Sequence, residues 1–299
     1  MRTTSLDSAT EVEHVVRNLL RESKAWGRFP TPVDKIVNFG ELSIAQHVDL
    51  SKADEGFLPR QFGFLSSALK KVLGLIDFRQ RTIYLDQTVS ASRQNFIKLH
   101  EVGHGVLPWQ RQLREGSGDD ALTLDPEIDE QFEREANHFA SAALFQLDHF
   151  EHEMMRLPLT FSAVRALSKK FGASIQATAR RYVAACPKRC ALIVLHKPSA
   201  GEGPFSVAVR NCFESPTFVA DFGQLAIPPL CDHGFRFVQD IQRKRRMHED
   251  GVITLATDRS PSLALDYHFF NNPYNSFVFL FPHGETISSR ATIVERPNR

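Results

Sequence analysis

The stretch QNFIKLHEVGHGVL, residues 94–107, sets His100, Glu101 and His104 inside an otherwise apolar run. On an α-helix, residues four apart sit one turn above each other on the same face. His100 and His104 have that spacing, so their imidazoles can aim two ring nitrogens at one point. Phe96, Leu99, Gly103 and Val106 form an adjacent apolar stripe that would bury such a helix. Glu101 then stands beside the point on which the histidines converge, not on it.

This is the H-E-x-x-H arrangement, in which two histidines hold zinc and the glutamate serves as general base. A catalytic zinc commonly has three protein ligands and an open position for water. An extended motif ending in a third histidine needs Gly at 107 and His at 110, whereas the sequence has Leu107 and Gln110. The stretch FEREANHFASAAL, residues 132–144, offers a carboxylate instead. On a helix Glu133, Asn137, Ala140 and Leu144 share one face, and the small Ala140 would let two helices approach closely. Glu133 is the expected third ligand. Its competitors are Glu135, on the far side of the same helix, His138, and the acids within 119–130. Asn137, one turn beyond Glu133, can hydrogen-bond a ligand histidine and fix its tautomer.

Outward from this site, residues 10–26 and 32–39 have helical periodicity, and Thr82-Ile83-Tyr84-Leu85-Asp86 has the β-branched and aromatic content of a strand. Ser90 or Ser92 can cap the motif helix. A polar connection between Pro108 and Pro126 contains Gly116-Ser117-Gly118-Asp119-Asp120 and reads as a loop. Helical patterning returns over 128–147, 161–171 and 174–184, with a break at Gly172. After Cys186-Pro187 the pattern changes to alternation, with strands expected at Leu192–Leu195, Phe205–Val209 and Phe277–Phe281. The composition change places a domain boundary at 186–190, dividing the chain into 1–186 and 187–299.

A formal net charge of +1 gives no global pull toward nucleic acid or an anionic membrane. Charges throughout residues 1–25 argue against a signal peptide, and no apolar run reaches the roughly 18–20 residues that span a bilayer. Four cysteines in a chain of 299 residues do not make a disulfide framework, and a cytoplasmic location is expected.

RQNFIKLHEVGH followed by EREANHFASAAL resembles the ImmA/IrrE family of zinc metallo-endopeptidases. The resemblance rests on Arg93, on His100-Glu101-x-x-His104, and on Glu133-x-Glu135-Ala136-Asn137-x-Phe139-Ala140, and covers about residues 10–185. It implies a gluzincin-like metallopeptidase fold for that part; with the strand patterning after 187, which the resemblance does not reach, the expected class of the chain is α+β. A mainly helical, gluzincin-like metallopeptidase domain with a small N-terminal sheet would precede a strand-rich α+β regulatory or recognition domain. It also implies about one Zn2+ per chain held by His100, His104 and Glu133, with Glu101 as the catalytic base. The implied substrate is an intracellular protein, characteristically a helix-turn-helix transcriptional repressor in a stress or mobile-element response. The alternative is a regulator that keeps the zinc site and binds a repressor or DNA without cutting. Arg93, Tyr84 and His138 are candidate substrate or oxyanion contacts.

Other features read as structural. Cys186 and Cys190, with Cys212, Cys231 and His233, lack the second close pair of a structural zinc site and read as buried thiols. The basic run Arg243-Lys244-Arg245-Arg246 is followed by Glu249 and Asp250 and reads as a solvated helix end, so direct nucleic-acid binding is not expected. The helices around Gly172 read as packing support for the zinc domain, not as a DNA-binding helix-turn-helix. The Phe-rich C-terminal part could also supply a homodimer surface.

Overall fold

The computed structural model describes residues 8–49, 74–116, 126–198 and 205–285. Residues 50–73 and 117–125, the second of which holds the Ser117-Gly118-Asp119-Asp120 part of the expected loop, lie outside them. The chain divides into two compact units, Met1–Phe150 with Lys169–Ser174, and Glu151–Ser168 with Ile175–Arg299.

In the first unit, α1 (Ala9–Glu22) and α2 (Val33–Phe39) precede a three-stranded sheet of β1 (Ser43–Asp49), β2 (Gly74–Asp77) and β3 (Thr82–Leu85). The strand order is β1-β3-β2, with β1 parallel and β2 antiparallel to β3. Helices α3 (Ala91–Val106), α4 (Pro108–Gly116) and α5 (Pro126–Phe145) complete it. The apolar spacing of α1 buries Val12, Val16, Leu19 and Leu20. Ser90 occupies the N-cap position of α3, but its side chain makes no capping hydrogen bond; the hydroxyl lies 3.4 Å from that of Ser92. Phe171 belongs to this unit's core, with ring centroids 4.8 Å from Phe29 and 5.4 Å from Phe150.

The connection after Pro108 was expected to be a loop, and its first half is the helix α4. Pro108 stands at its first position, where proline's fixed φ favours helix and its missing N–H costs nothing. Trp109 and Gln110 are held by hydrogen bonds to Glu135, so this helix is stabilised by buried polar contacts that linear patterning does not display.

In the second unit, α6 (Asp148–Met155), α7 (Phe161–Phe171) and α8 (Ile175–Ala185), with the parts of α6 and α7 that belong here, precede a six-stranded sheet. Its strands are β4 (Ala191–Leu195), β5 (Ser206–Glu214), β6 (Leu230–Asp232), β7 (Met247–Leu255), β8 (Leu263–Asn271) and β9 (Ser276–Pro282). They run antiparallel throughout in the order β6-β5-β4-β9-β8-β7. Every residue of the central strands β4 and β9 is buried, because helices cover both faces. On one face Phe161 stacks 5.2 Å from Phe270, and Tyr182 meets Phe279 edge-on at 5.7 Å. On the other, Ile193, Val278 and Leu280 join one core with Phe218 of α9 (Pro216–Phe222) and Phe237 and Ile241 of α10 (Arg236–Gln242). Residues 161–168 and 175–184, expected to support the zinc domain, therefore cover the sheet of the second unit, because Phe161 and Tyr182 pack on its strands. Residues 175–185 belong to the same compact unit as the strands after them.

The α+β architecture is the one expected, a helical zincin-like part followed by a strand-rich part. Among the described residues, no helix is long and apolar enough to cross a membrane.

Candidate metal centre

The contact that builds the site is the crossing of α3 over α5. A Cβ added at Gly103 would lie 3.2 Å from Phe139 ring carbons and 3.3 Å from the Ala136 Cα. Ordinary carbon contacts fall at about 3.5–4.0 Å, so the absence of a side chain at 103 sets how near the two helices come. The small residues at the crossing are Gly103 and Ala136, one turn away from the expected Ala140.

This approach brings His100, His104 and Glu133 together. Their donor atoms all lie within 4.8 Å of one another, and among the described residues no other group of His, Cys, Asp and Glu could hold a metal. The two Nε2 atoms are 3.1 Å apart. Glu133 spans them, with Oε2 3.2 Å from His100 and Oε1 3.2 Å from His104. Tetrahedral zinc with ligands at about 2.0–2.1 Å requires donors roughly 3.3 Å apart, so nitrogen and oxygen atoms of the right type stand at nearly the right separations. The His104 side chain is 5% exposed and that of Glu133 51%, which leaves the site open on the carboxylate side.

The electrostatics suit a cation. Burial opposes charging of the His100 ring, but the hydrogen bond to Glu133 and the charges of Glu101 and Glu133 outweigh it and raise the imidazole pKa above its usual value. Burial likewise opposes ionisation of Glu133. Its hydrogen bonds to His100 and His104 prevail and hold the carboxyl well below the ordinary carboxylate range.

Glu101 is buried on the same helix, next to the donor set. Gly74, the first residue of β2, lies against it. A Cβ there would fall 2.2 Å from Ile97 Cγ2 and 3.1 Å from Glu101 Oε1.

Asn137 donates its Nδ2 hydrogen to the Glu133 carbonyl at 2.8 Å, which leaves its oxygen for the His100 ring, with which the side chain also hydrogen-bonds. Around His104 the partners are ones that sequence reasoning had set aside or ranked as rival ligands. His104 Nδ1 lies 2.7 Å from Gln110 Oε1. Gln110 donates from Nε2 to Glu135 Oε2 at 2.7 Å and to the Phe132 carbonyl at 3.2 Å. Glu135 also accepts from Ser8, Trp109 and Gln131, at 2.6, 2.6 and 3.0 Å.

None of the three candidate substrate contacts belongs to the donor set. Arg93 is exposed in the first turn of α3, about 10 Å along the helix from His100. Tyr84 donates from its hydroxyl to Gln80 Oε1 at 3.3 Å, and His138 pairs with Glu13 of α1 at 3.1 Å. The acids of 119–125 lie outside the described residues. Cys186, Cys190 and Cys231 are buried and Cys212 is partly so; all four are free thiols.

Residues 62–182 match the family model of the IrrE N-terminal-like domain, peptidase family M78. No curated protein matches the sequence significantly. Among solved structures, a Mycobacterium tuberculosis transcriptional regulator superposes with a TM-score of 0.51 at 11% identity, over 92% of this chain and 77% of that one. At that identity the likeness is one of fold.

Proposed function

We propose, for a chain whose residues 62–182 match the IrrE N-terminal-like domain of peptidase family M78, that the protein is a zinc-dependent endopeptidase. The observation that carries this reading is the convergence of His100, His104 and Glu133 within 4.8 Å, with the Glu101 carboxylate buried beside them. His100 and His104 would hold the ion through Nε2 and Glu133 through its carboxylate. Bound zinc lowers the pKa of a coordinated water toward about 7 and polarises a carbonyl. Glu101 would take the water's proton on a carboxylate oxygen and deliver it to the leaving amine. Asn137 and Gln110 hold the histidine rings in orientation.

The substrate proposed is an intracellular protein, most characteristically a helix-turn-helix repressor, with recognition or control supplied by the chain beyond 186. The resemblance of the motif residues supports this choice.

The test pairs metal analysis with substrate discovery. Purified protein should carry about one zinc ion per chain, lost in His100→Ala, His104→Ala or Glu133→Ala. Glu101→Gln should keep the zinc and lower turnover by about 10²–10⁴-fold. Sequencing of protein N termini in cells should reveal new ends with the wild type that are missing with Glu101→Gln. If both forms bring about the same regulatory response with no new ends, the protein acts by binding a repressor or DNA.

A further inference from the structure

We propose that Gln110 and Glu135 fix which ring nitrogen of His104 is free to bind a metal, so that Glu135 is a positioning residue acting from outside the donor set. This rests on the metal-site reading above and extends it to residues that hold no metal.

The argument starts from what each partner can accept or donate. Gln110 is completely buried, so its amide is not reoriented by solvent. Its two orientations are inequivalent, because a carbonyl or an ionised carboxylate can only accept. The amide nitrogen faces the Phe132 carbonyl at 3.2 Å and Glu135 Oε2 at 2.7 Å. Rotating the amide by half a turn would set its oxygen against two acceptors. With the nitrogen committed, Oε1 is the atom left 2.7 Å from His104 Nδ1, and it too can only accept. A neutral His104 ring has one hydrogen for two accepting neighbours, Gln110 Oε1 at 2.7 Å and Glu133 Oε1 at 3.2 Å, and the shorter contact, to the fully buried amide, holds it on Nδ1. Nε2 keeps its lone pair, and Nε2 is the atom that faces Glu133 and His100.

The direction of this chain is set at Glu135. The residue is completely buried yet does not reach the donor set. Each of its oxygens faces two donors: Oε1 accepts from the Ser8 hydroxyl and Gln131 Nε2, and Oε2 from the Trp109 indole N–H and Gln110 Nε2. An indole N–H can only donate, so Oε2 carries no hydrogen to offer Gln110. An amide in its place could present either end, and Gln110 would be free to turn its own nitrogen toward His104. The ring would then accept at Nδ1 and carry its hydrogen on Nε2, where a metal ligand needs a lone pair.

The experiment uses the full chain with 15N-labelled histidine, free of metal and at alkaline pH, where imidazoles are neutral. Ring nitrogen correlations then show which atom carries the hydrogen, independently of any activity. Wild-type His104 should be the Nδ1–H form. Gln110→Leu removes the acceptor and Glu135→Gln removes the one-way constraint. Both should shift His104 toward the Nε2–H form and weaken zinc binding by about 10–100-fold. Trp109→Phe deletes a different hydrogen bond to Glu135 and leaves Gln110 its partners, so it should keep the wild-type ring signals and zinc affinity. Unchanged His104 signals in Gln110→Leu and Glu135→Gln would overturn the proposal. So would an equal shift in Trp109→Phe, which would make Glu135 a general anchor of the fold. Gln110→Leu leaves the other bonds of Glu135 in place and decides the matter if Glu135→Gln does not fold. A wild type that takes up no zinc would remove the metal reading, while the ring signals would still judge the orientation chain.

Discussion

Where α3 crosses α5, Gly103 meets Ala136 and the ring of Phe139; beside β9, Phe161 meets Phe277 and Tyr182 meets Phe279. Both places are buried, but they use side-chain volume in opposite ways. At the helix crossing nearly all volume is withheld, and two backbones come close enough for side chains on either side to share one point. At the sheet, large rings fill the space under the helices and remove apolar area from water, which is the main favourable term in folding. The first arrangement supplies geometry at the expense of buried area; the second supplies stability and needs no polar precision. Damage to the two should therefore be read out by different measurements.

The largest effect is expected at the sheet. Phe279 is completely buried against Tyr182, and Phe279→Ala should cost about 3–5 kcal/mol of stability. Hydrogen exchange of β4 and β9 amides is the suitable probe. Both tryptophans, Trp26 and Trp109, lie in the first unit, so fluorescence follows that unit instead. Zinc content should be unchanged. Loss of zinc at unchanged exchange rates would reverse the assignment of roles.

A smaller effect, of about 1–3 kcal/mol, is expected from Gly103→Ala, whose new Cβ must push Phe139 or the α5 backbone away. Its signature should be weaker zinc binding, because the Glu133 helix moves off the histidine helix. Amides of β4 and β9 should keep their protection. Full zinc affinity in this variant would show that the crossing has slack and that the donor geometry is set elsewhere.

The smallest effect is a pH dependence at the sheet. His268 accepts the Phe161 backbone N–H on Nδ1 at 3.2 Å. Burial lowers its pKa from 6.5, assisted by the charge of His248 and opposed by Glu249, Asp266 and Asp250. Because the folded value lies below the unfolded one, the unfolded chain takes up the proton first. The neutral ring thus contributes stability above about pH 6.5, and the contribution fades as pH falls through the lowered folded value. His268→Gln keeps an acceptor and cannot titrate, so β9 protection should vary less with pH than in the wild type. Equal slopes would place the titration on another group.

The contrast between the two regions also explains what was legible in the sequence. His100 and His104 could be placed on one face because helical spacing within a single segment determines it. Glu133 required a guess about a second helix, guided by EREANHFA, and Ala140 was singled out where the closest approach is at Gly103 and Ala136. Gln110 was noticed only as a residue that is not histidine, and Glu135 only as a rival ligand. Their roles depend on how α4 packs on α5, a relation that no periodicity encodes. At the sheet, the runs ALIVL and SFVFLFP announced buried strands. The strands β6 and β7 did not announce themselves: the first spans only Leu230–Asp232, and the second is a sheet edge where Glu249 and Asp250 remain exposed.

Gly74 carries a consequence for how this protein can change over generations. Any glycine codon becomes an alanine codon by a single base substitution, and at 74 the added methyl would collide with Ile97 and crowd Glu101 Oε1. None of the three metal donors would be altered by that substitution. A change in how the Glu101 carboxylate is held thus lies within the smallest step the genetic code allows, taken at a residue with no side chain of its own.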